Sequence, residues 1–168
     1  MKIRRLKGSE AELFHAFRLQ GLKECPAAFG ATYEEEASVS ADAVRSRFPR
    51  TRENFILGAF DEGGQLIGVV GFFRFEAPKV RHKGMIWGMY VAPDGRGQGV
   101  GKSLLAGVIE RCRTLVGLEQ ILLDVVIPNE AARNLYLGRG FRITALEEKA
   151  MKYEGVYFDV EHMVRHIR

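Results

Sequence analysis

The chain reads as a mixed α/β protein, and three observations carry that reading. Strand-like and helical patterns follow one another as strand, helix, helix, antiparallel strands, then strand–helix–strand–helix and closing strands. Turn-forming clusters punctuate them, at Asp61-Glu62-Gly63-Gly64, Pro128-Asn129 and Glu154-Gly155. A glycine-rich loop joins an apolar run, Met85 to Val91, to an amphipathic helical pattern, Ser103 to Leu115. At 168 residues the chain suits one domain over 1–168, burying about 70 % of its unfolded surface. No internal repeat, low-complexity stretch or linker divides it.

Taken in order, Ile3 to Leu6 predicts a short strand. Ser9-Glu10-Ala11-Glu12 predicts a capping box opening a helix with Leu13, Phe14, Phe17 and Leu22 inward, ended by Pro26. Ser40 caps a second helix to about Phe48. Asn54 to Phe60 and Gln65 to Phe75 are strands joined by the Asp61–Gly64 turn, and His82 to Val91 is a third. The helix after the glycine loop places Leu104, Leu105, Val108, Ile109, Cys112 and Leu115 on one stripe. Gln120 to Ile127 is an apolar strand, followed by a helix carrying Leu135 and Tyr136 that Gly138 to Gly140 ends. Phe141 to Glu147 and Val156 to Val164 close the chain as strands.

The formal net charge of +4 suits an anionic ligand. Its arginines are dispersed, however, without the clustered stripe that marks a nucleic-acid binder. Arg45, Arg47, Arg50 and Arg52 read as a solvated face. No apolar run approaches the ~20 residues of a membrane helix, and the basic start lacks a signal-peptide apolar region. Cys25 and Cys112 stand apart without metal-ligand neighbours, so neither a metal nor a disulfide framework is expected, and a reducing cytoplasm is the natural compartment.

The loop carries the chemistry. Glycines at 95, 97, 99 and 101 leave backbone amides bare where a helix begins, and a helix N-terminus carries roughly +0.5 of an elementary charge. Arg96 and Lys102 add formal charge. Together these make a phosphate cradle. A nucleotide P-loop fits the tail Gly101-Lys102-Ser103 but needs glycine where Arg96 stands, and it would normally follow the first strand of a parallel sheet. A dinucleotide fingerprint fails at Lys102 or at Val100, depending on the starting glycine. The acyl-CoA pattern Q/R-x-x-G-x-G/A is satisfied by Arg96, Gly99 and Gly101.

Tyr90-Val91-Ala92-Pro93 leads into that pattern, and Asn129-x-x-Ala132-x-x-Leu135-Tyr136-x-x-x-Gly140-Phe141 follows it downstream. On these residues the C-terminal half resembles the GNAT superfamily of acyl-CoA-dependent N-acyltransferases. The resemblance implies a mixed, mostly antiparallel sheet of about six to seven strands, with helices on both faces, splayed where coenzyme A enters. It implies acetyl transfer from acetyl-CoA to an amine acceptor, small molecule or peptide, by direct attack in a ternary complex. The amides of Gly97, Gln98, Gly99, Val100, Gly101 and Lys102 would take the pyrophosphate, with Arg96, Lys102 and Arg133 on the outer phosphates. Main-chain groups of Met89, Tyr90 and Val91 and the side chain of Asn129 would hold the pantetheine arm, and Tyr136 would protonate the leaving thiolate. Many members pair through C-terminal strands, which implies a homodimer.

The acceptor side is open. The strand before the loop holds no carboxylate, so the base is left among His82, which alternates onto the face of Tyr90, Glu76, Asp124, Glu34 to Glu36 and water. Phe29 and Tyr33 are candidate acceptor-site residues, equally readable as core, and the glutamates beside them would favour a cationic amine. Met85, Trp87 and Met89 are expected on one strand face. A P-loop-like nucleotide enzyme and a non-catalytic CoA-binding domain are the alternative readings.

Overall fold

The computed structural model describes residues 1–167. Seven strands form one sheet in the order β1-β2-β3-β4-β5-β7-β6: β1 (Lys2–Arg5), β2 (Asn54–Phe60), β3 (Leu66–Arg74), β4 (Lys83–Val91), β5 (Gln120–Val126), β6 (Arg142–Tyr153) and β7 (Val156–His166). Every neighbouring pair is antiparallel except β4 and β5, which run parallel. Helices α1 (Ala11–Glu24), α2 (Tyr33–Ala37), α3 (Ala41–Arg47), α4 (Val100–Arg113) and α5 (Glu130–Leu137) complete the chain. The sheet, the strand count and the helices on both faces match the expected architecture.

Burial on two faces explains the composition of the central strands. Phe55, Leu57 and Ala59 of β2 pack with the α4 stripe of Leu104, Leu105, Val108 and Cys112. Ile56, between them in sequence, joins Phe14 and Phe17 of α1 and Val44 of α3 on the other face. A strand sandwiched this way reads as a continuous apolar run rather than an alternation.

Several helix boundaries follow from caps. Ser40 Oγ accepts from the Ala43 amide at 3.2 Å and starts α3. Asn129 Oδ1 accepts from the Ala132 amide at 3.2 Å and starts α5. The Ser9–Glu12 box does not form. Instead the Glu10 carboxylate, held by Arg4 at 2.7 and 2.9 Å, accepts from the Lys7 amide at 2.8 Å, and α1 begins at Ala11. Glu12 pairs with Arg45 on α3. Leu13 is 46 % exposed, because Phe14, Phe17, Gly21 and Leu22 already occupy the inward stripe. α2 has no counterpart among the expected elements. Its signal is a capping box, with Thr32 Oγ1 accepting from the Glu35 amide and the Glu35 carboxylate from the Thr32 amide.

One irregularity positions the site. β3 and β4 register Gly71 against Trp87 and then Val69 against Tyr90, so β4 carries one extra residue. The bulge falls at Gly88, whose φ of +60° suits glycine. It reverses the alternation beyond it. Trp87 and Tyr90 pack toward α1, whereas Ile86, Met89 and Val91 pack toward α4 and α5. The expected common face for Met85, Trp87 and Met89 is therefore wrong, as is the shared face of His82 and Tyr90. Alternation from sequence assumes an unbroken period of two, and a bulge breaks it.

Candidate active site

β4 and β5 pair only at their first residues, Lys83↔Gln120, Gly84↔Ile121 and Met85↔Leu122. Beyond Met85 the two strands separate, while β5 stays paired with β7 as far as Val126↔Val160. The separation exposes main-chain groups on the inner edges of both strands. A narrow cavity of about 90 Å³ fills it, lined by Trp87, Gly88, Met89, Asp124, Asn129 and Tyr136 among others. A wider cleft of about 420 Å³ shares Phe29, Trp87, Gly88 and Asp124 with it and adds Arg18, Glu147 and His162.

At one mouth of the slot stands the glycine loop. Pro93–Gly95 makes a single 3-10 turn, and α4 starts three residues earlier than its apolar stripe indicates, at Val100. Gly97 and Gly99 have φ of +74° and +76°, and nothing lies within 4 Å of where their Cβ atoms would be. Gly99 is the N-cap and brings no side chain to the helix end. Among the described residues no backbone carbonyl partners the amides of Gly97, Gln98 or Gly99, and the amides of Val100, Gly101 and Lys102 are the orphan donors of a first helical turn. Gln98 Nε2 donates to the Asp94 carbonyl at 2.6 Å, folding its side chain away from them. Lys102 is exposed beside the turn.

The two arginines assigned to phosphate have partners inside the protein. Arg96 donates to the Val91 carbonyl at 3.1 Å and to Glu24 at 3.2 Å. Arg133 donates to Glu161 at 2.8 Å. Both side chains remain partly exposed, 48 % and 32 %. Glu24, which the sequence did not single out, also accepts from the Tyr90 hydroxyl. Burial and that bond push the Tyr90 hydroxyl above its ordinary pKa. The Tyr90 ring therefore serves the α1 contact, tilted against Phe17 with ring centroids 5.1 Å apart, and does not line the slot.

Tyr136 enters from α5. Its hydroxyl lies 3.4 Å from Met89 Sδ and the residue is 7 % exposed. Burial pushes its pKa up to about 12, so it stays protonated at neutral pH. Asn129 uses its oxygen for the α5 cap, which leaves the side-chain NH2 as a donor. Phe29 lines both cavities.

Opposite Tyr136 lies a pair that sequence reasoning only half identified. Asp124 stands directly across from His162 in the β5–β7 register, and Asp124 Oδ1 is 2.6 Å from His162 Nδ1. Glu147 of β6 lies 3.1 Å from His162 Nε2. The Asp124 hydrogen bond leads in holding the imidazole above its ordinary value, with Glu147 adding to it. Asp124 was among the candidate bases; His162 was not. The structure does not bring His82 to the slot. It precedes β4 at the closed end, where its carbonyl accepts from the Glu119 and Gln120 amides. Tyr33 lines a separate groove with Lys23 and Glu24. Cys112 is fully buried, and desolvation pushes its thiol up to about 12, unsuited to nucleophilic work.

A strand pair splayed beside a bulge, with an amide-rich helix start at its mouth, now has counterparts to compare. Residues 22–141 match the family model described as Acetyltransferase (GNAT) family. The chain belongs to that family. Its members transfer acyl groups, which makes the protein an acyltransferase. An acetyltransferase of the GNAT family from Streptococcus pneumoniae superposes with a TM-score of 0.86 at 23 % identity, covering 99 % of both chains. A phosphinothricin acetyltransferase from Sinorhizobium meliloti, solved in complex with AcCoA, gives a TM-score of 0.83 at 22 % identity over 98 % of this chain and 87 % of that one. At such identities the likeness shows the fold. N-acetyltransferase 8B of Mus musculus is 29 % identical over 92 residues, which is 54 % of this chain and 39 % of that protein's length. Among the described residues no helix is long and apolar enough to cross a membrane, and no group of three or more His, Cys, Asp or Glu side chains is arranged to hold a metal ion.

Proposed function

We propose that the protein transfers an acetyl group from acetyl-CoA to an amine by direct attack within the β4–β5 slot. The observation that carries this reading is the coincidence of three features around one slot. Unpaired strand edges suit the amides of a pantetheine arm, the bare amides of residues 97–102 suit its pyrophosphate, and Tyr136 lines the slot as a protonated acid. Arg96 and Lys102 at the loop, and Arg133 on α5, would meet the outer phosphates. Acetyl-CoA bound to a family neighbour of like fold adds support.

The Asp124–His162 pair then takes the proton from the attacking ammonium, and the neutral nitrogen adds to the thioester carbonyl. A main-chain N–H of Tyr90 or Val91 at the slot edge stabilises the resulting oxyanion. The C–S bond breaks, the Tyr136 hydroxyl gives its proton to the departing sulfur, and the second proton of the acylated nitrogen is released to solvent, from which the tyrosinate is reprotonated. One continuous sheet supports a single domain over 1–168 in this reading. A homodimer through β6 and β7 belongs to it as well, supported by the exposed Leu146, Val156 and Tyr157 on that hairpin, and light scattering of the protein in solution reads it.

Thermal shift separates this reading from a nucleotide-binding one. Acetyl-CoA and CoA both raise Tm while ATP has little effect. Stabilisation by ATP with none by either CoA form would overturn the proposal.

A further inference from the structure

Resting on the acetyl-transfer reading, we infer that the acceptor is an amine that also carries a carboxylate, of the free amino-acid type, and that Arg18 reads the carboxylate. Arg18 projects from α1 into the cleft shared with Asp124 and His162. Its side chain is only 15 % exposed. The guanidinium lies 5.6 Å from the Trp87 ring and 6.0 Å from the Phe29 ring, and Nη1 reaches to 3.1 Å from where a Cβ on Gly88 would stand. It is thus held at the β4 bulge, beside the slot that would present the thioester.

This cation has no hydrogen-bonded partner among the described residues. Its nearest carboxylate, Glu36, is 3.9 Å from Nε. Glu36 is also shared with Arg47 at 3.7 Å and His15 at 4.0 Å. Two guanidiniums thus face one carboxylate, and none of the three contacts is short enough for a hydrogen bond. A partly desolvated guanidinium without an accepting oxygen is costly, and a planar carboxylate satisfies its fork of donors in parallel. None of the acidic triplet Glu34 to Glu36 lines that cleft. Of the acidic triplet, Glu35 closes the α2 cap and Glu34 is exposed. Glu36 faces an adjoining pocket that Arg18 and Arg47 also line, and there it is outnumbered. A substrate with its carboxylate on Arg18 directs its amine along the cleft toward Asp124 and His162.

The test compares matched acceptors by thiol release from acetyl-CoA: the common α-amino acids, their carboxamides, the corresponding decarboxylated amines, and polyamines. The best amino acid exceeds its carboxamide in kcat/KM by about tenfold to a hundredfold, the range for a hydrogen-bonded charge pair. Arg18→Met keeps the stem between Trp87 and Phe29. It abolishes that preference by raising KM for the acid while the carboxamide is unaffected, and Arg18→Lys restores part of it. Preferential turnover of polyamines or decarboxylated amines by the native protein would leave acetyl transfer standing and overturn the carboxylate reading. So would an Arg18→Met variant that loses activity equally on acid and carboxamide. If no amine is turned over, Tm shifts in the presence of CoA decide the matter separately. Stabilisation by amino acids, absent with carboxamides and lost in Arg18→Met, supports the carboxylate site; equal shifts for both overturn it.

Discussion

In the proposed reaction, Tyr136 and the Asp124–His162 pair divide the proton chemistry between two sides of one slot, and each makes a separable prediction. Tyr136→Phe keeps the ring that packs on Phe141 at 6.0 Å and removes only the hydroxyl. Turnover at saturating acetyl-CoA falls at least about tenfold with Tm nearly unchanged, as stopped-flow or steady-state thiol release would register. An unchanged rate removes Tyr136 as the acid. For the pair, the imidazole must be neutral to accept a proton, and Asp124 holds it above the usual value near 6.5. Activity is therefore lost as pH falls through that raised value, and the ascending limb of the kcat/KM profile inflects above pH ~6.5. Asp124→Asn moves the inflection downward, toward lower pH. A purely structural pair would leave the limb where it was. Asn129 and Tyr136 were legible because their spacing sits inside a sequence motif. His162 was not, because it meets Asp124 through a cross-strand register between segments far apart in the chain, a contact no local pattern encodes. Arg18 was hidden likewise: on α1 it is one arginine among many until Trp87 and Phe29 close over it.

At the scale of elements, α1 and β4 fit closely against each other. Gly21, in the last turn of α1, sits so near Tyr90 that a Cβ would stand 2.9 Å from the ring Cγ. The ring cannot easily turn aside, since Phe17 flanks it and Glu24 holds its hydroxyl. Helix propensity favours Gly21→Ala by about 1 kcal/mol, whereas overpacking a tight contact costs about 1–3 kcal/mol. Packing wins, and urea denaturation should show a net loss of stability; a gain would mean that α1 floats over β4. Element boundaries were legible where chemistry marks them: Ser40 and Asn129 as caps, Glu154-Gly155 as a turn, Asn54 to Phe60 as a strand. The Gly88 bulge was not. A glycine in a strand permits one, but only the pairing with β3 reveals that Trp87 and Met89 face opposite ways.

The whole molecule is a sheet clamped by helices on both faces and deliberately open at one seam. Closing β4 against β5 along its length would satisfy more backbone groups, but the seam opens beside the Gly88 bulge, with Asn129 and Tyr136 lining it. The proposed donor half was readable in advance because its phosphate end is built from consecutive residues, one loop and one helix start, and the rest from a motif of fixed spacing. The proposed acceptor half assembles from α1, residues 28–31, β4, β5, β6 and β7, and such a site exists only once the chain has folded. The measurement that bears most directly on the whole is simultaneous detection of free thiol and N-acetylated product from acetyl-CoA and an amino-acid mixture. Acetyl transfer in the slot predicts the two in equal amounts, and no acetyl group left on the protein. Acetyl-CoA bound without thiol release in the presence of any amine would contradict it, leaving a protein that holds the cofactor and does not use it.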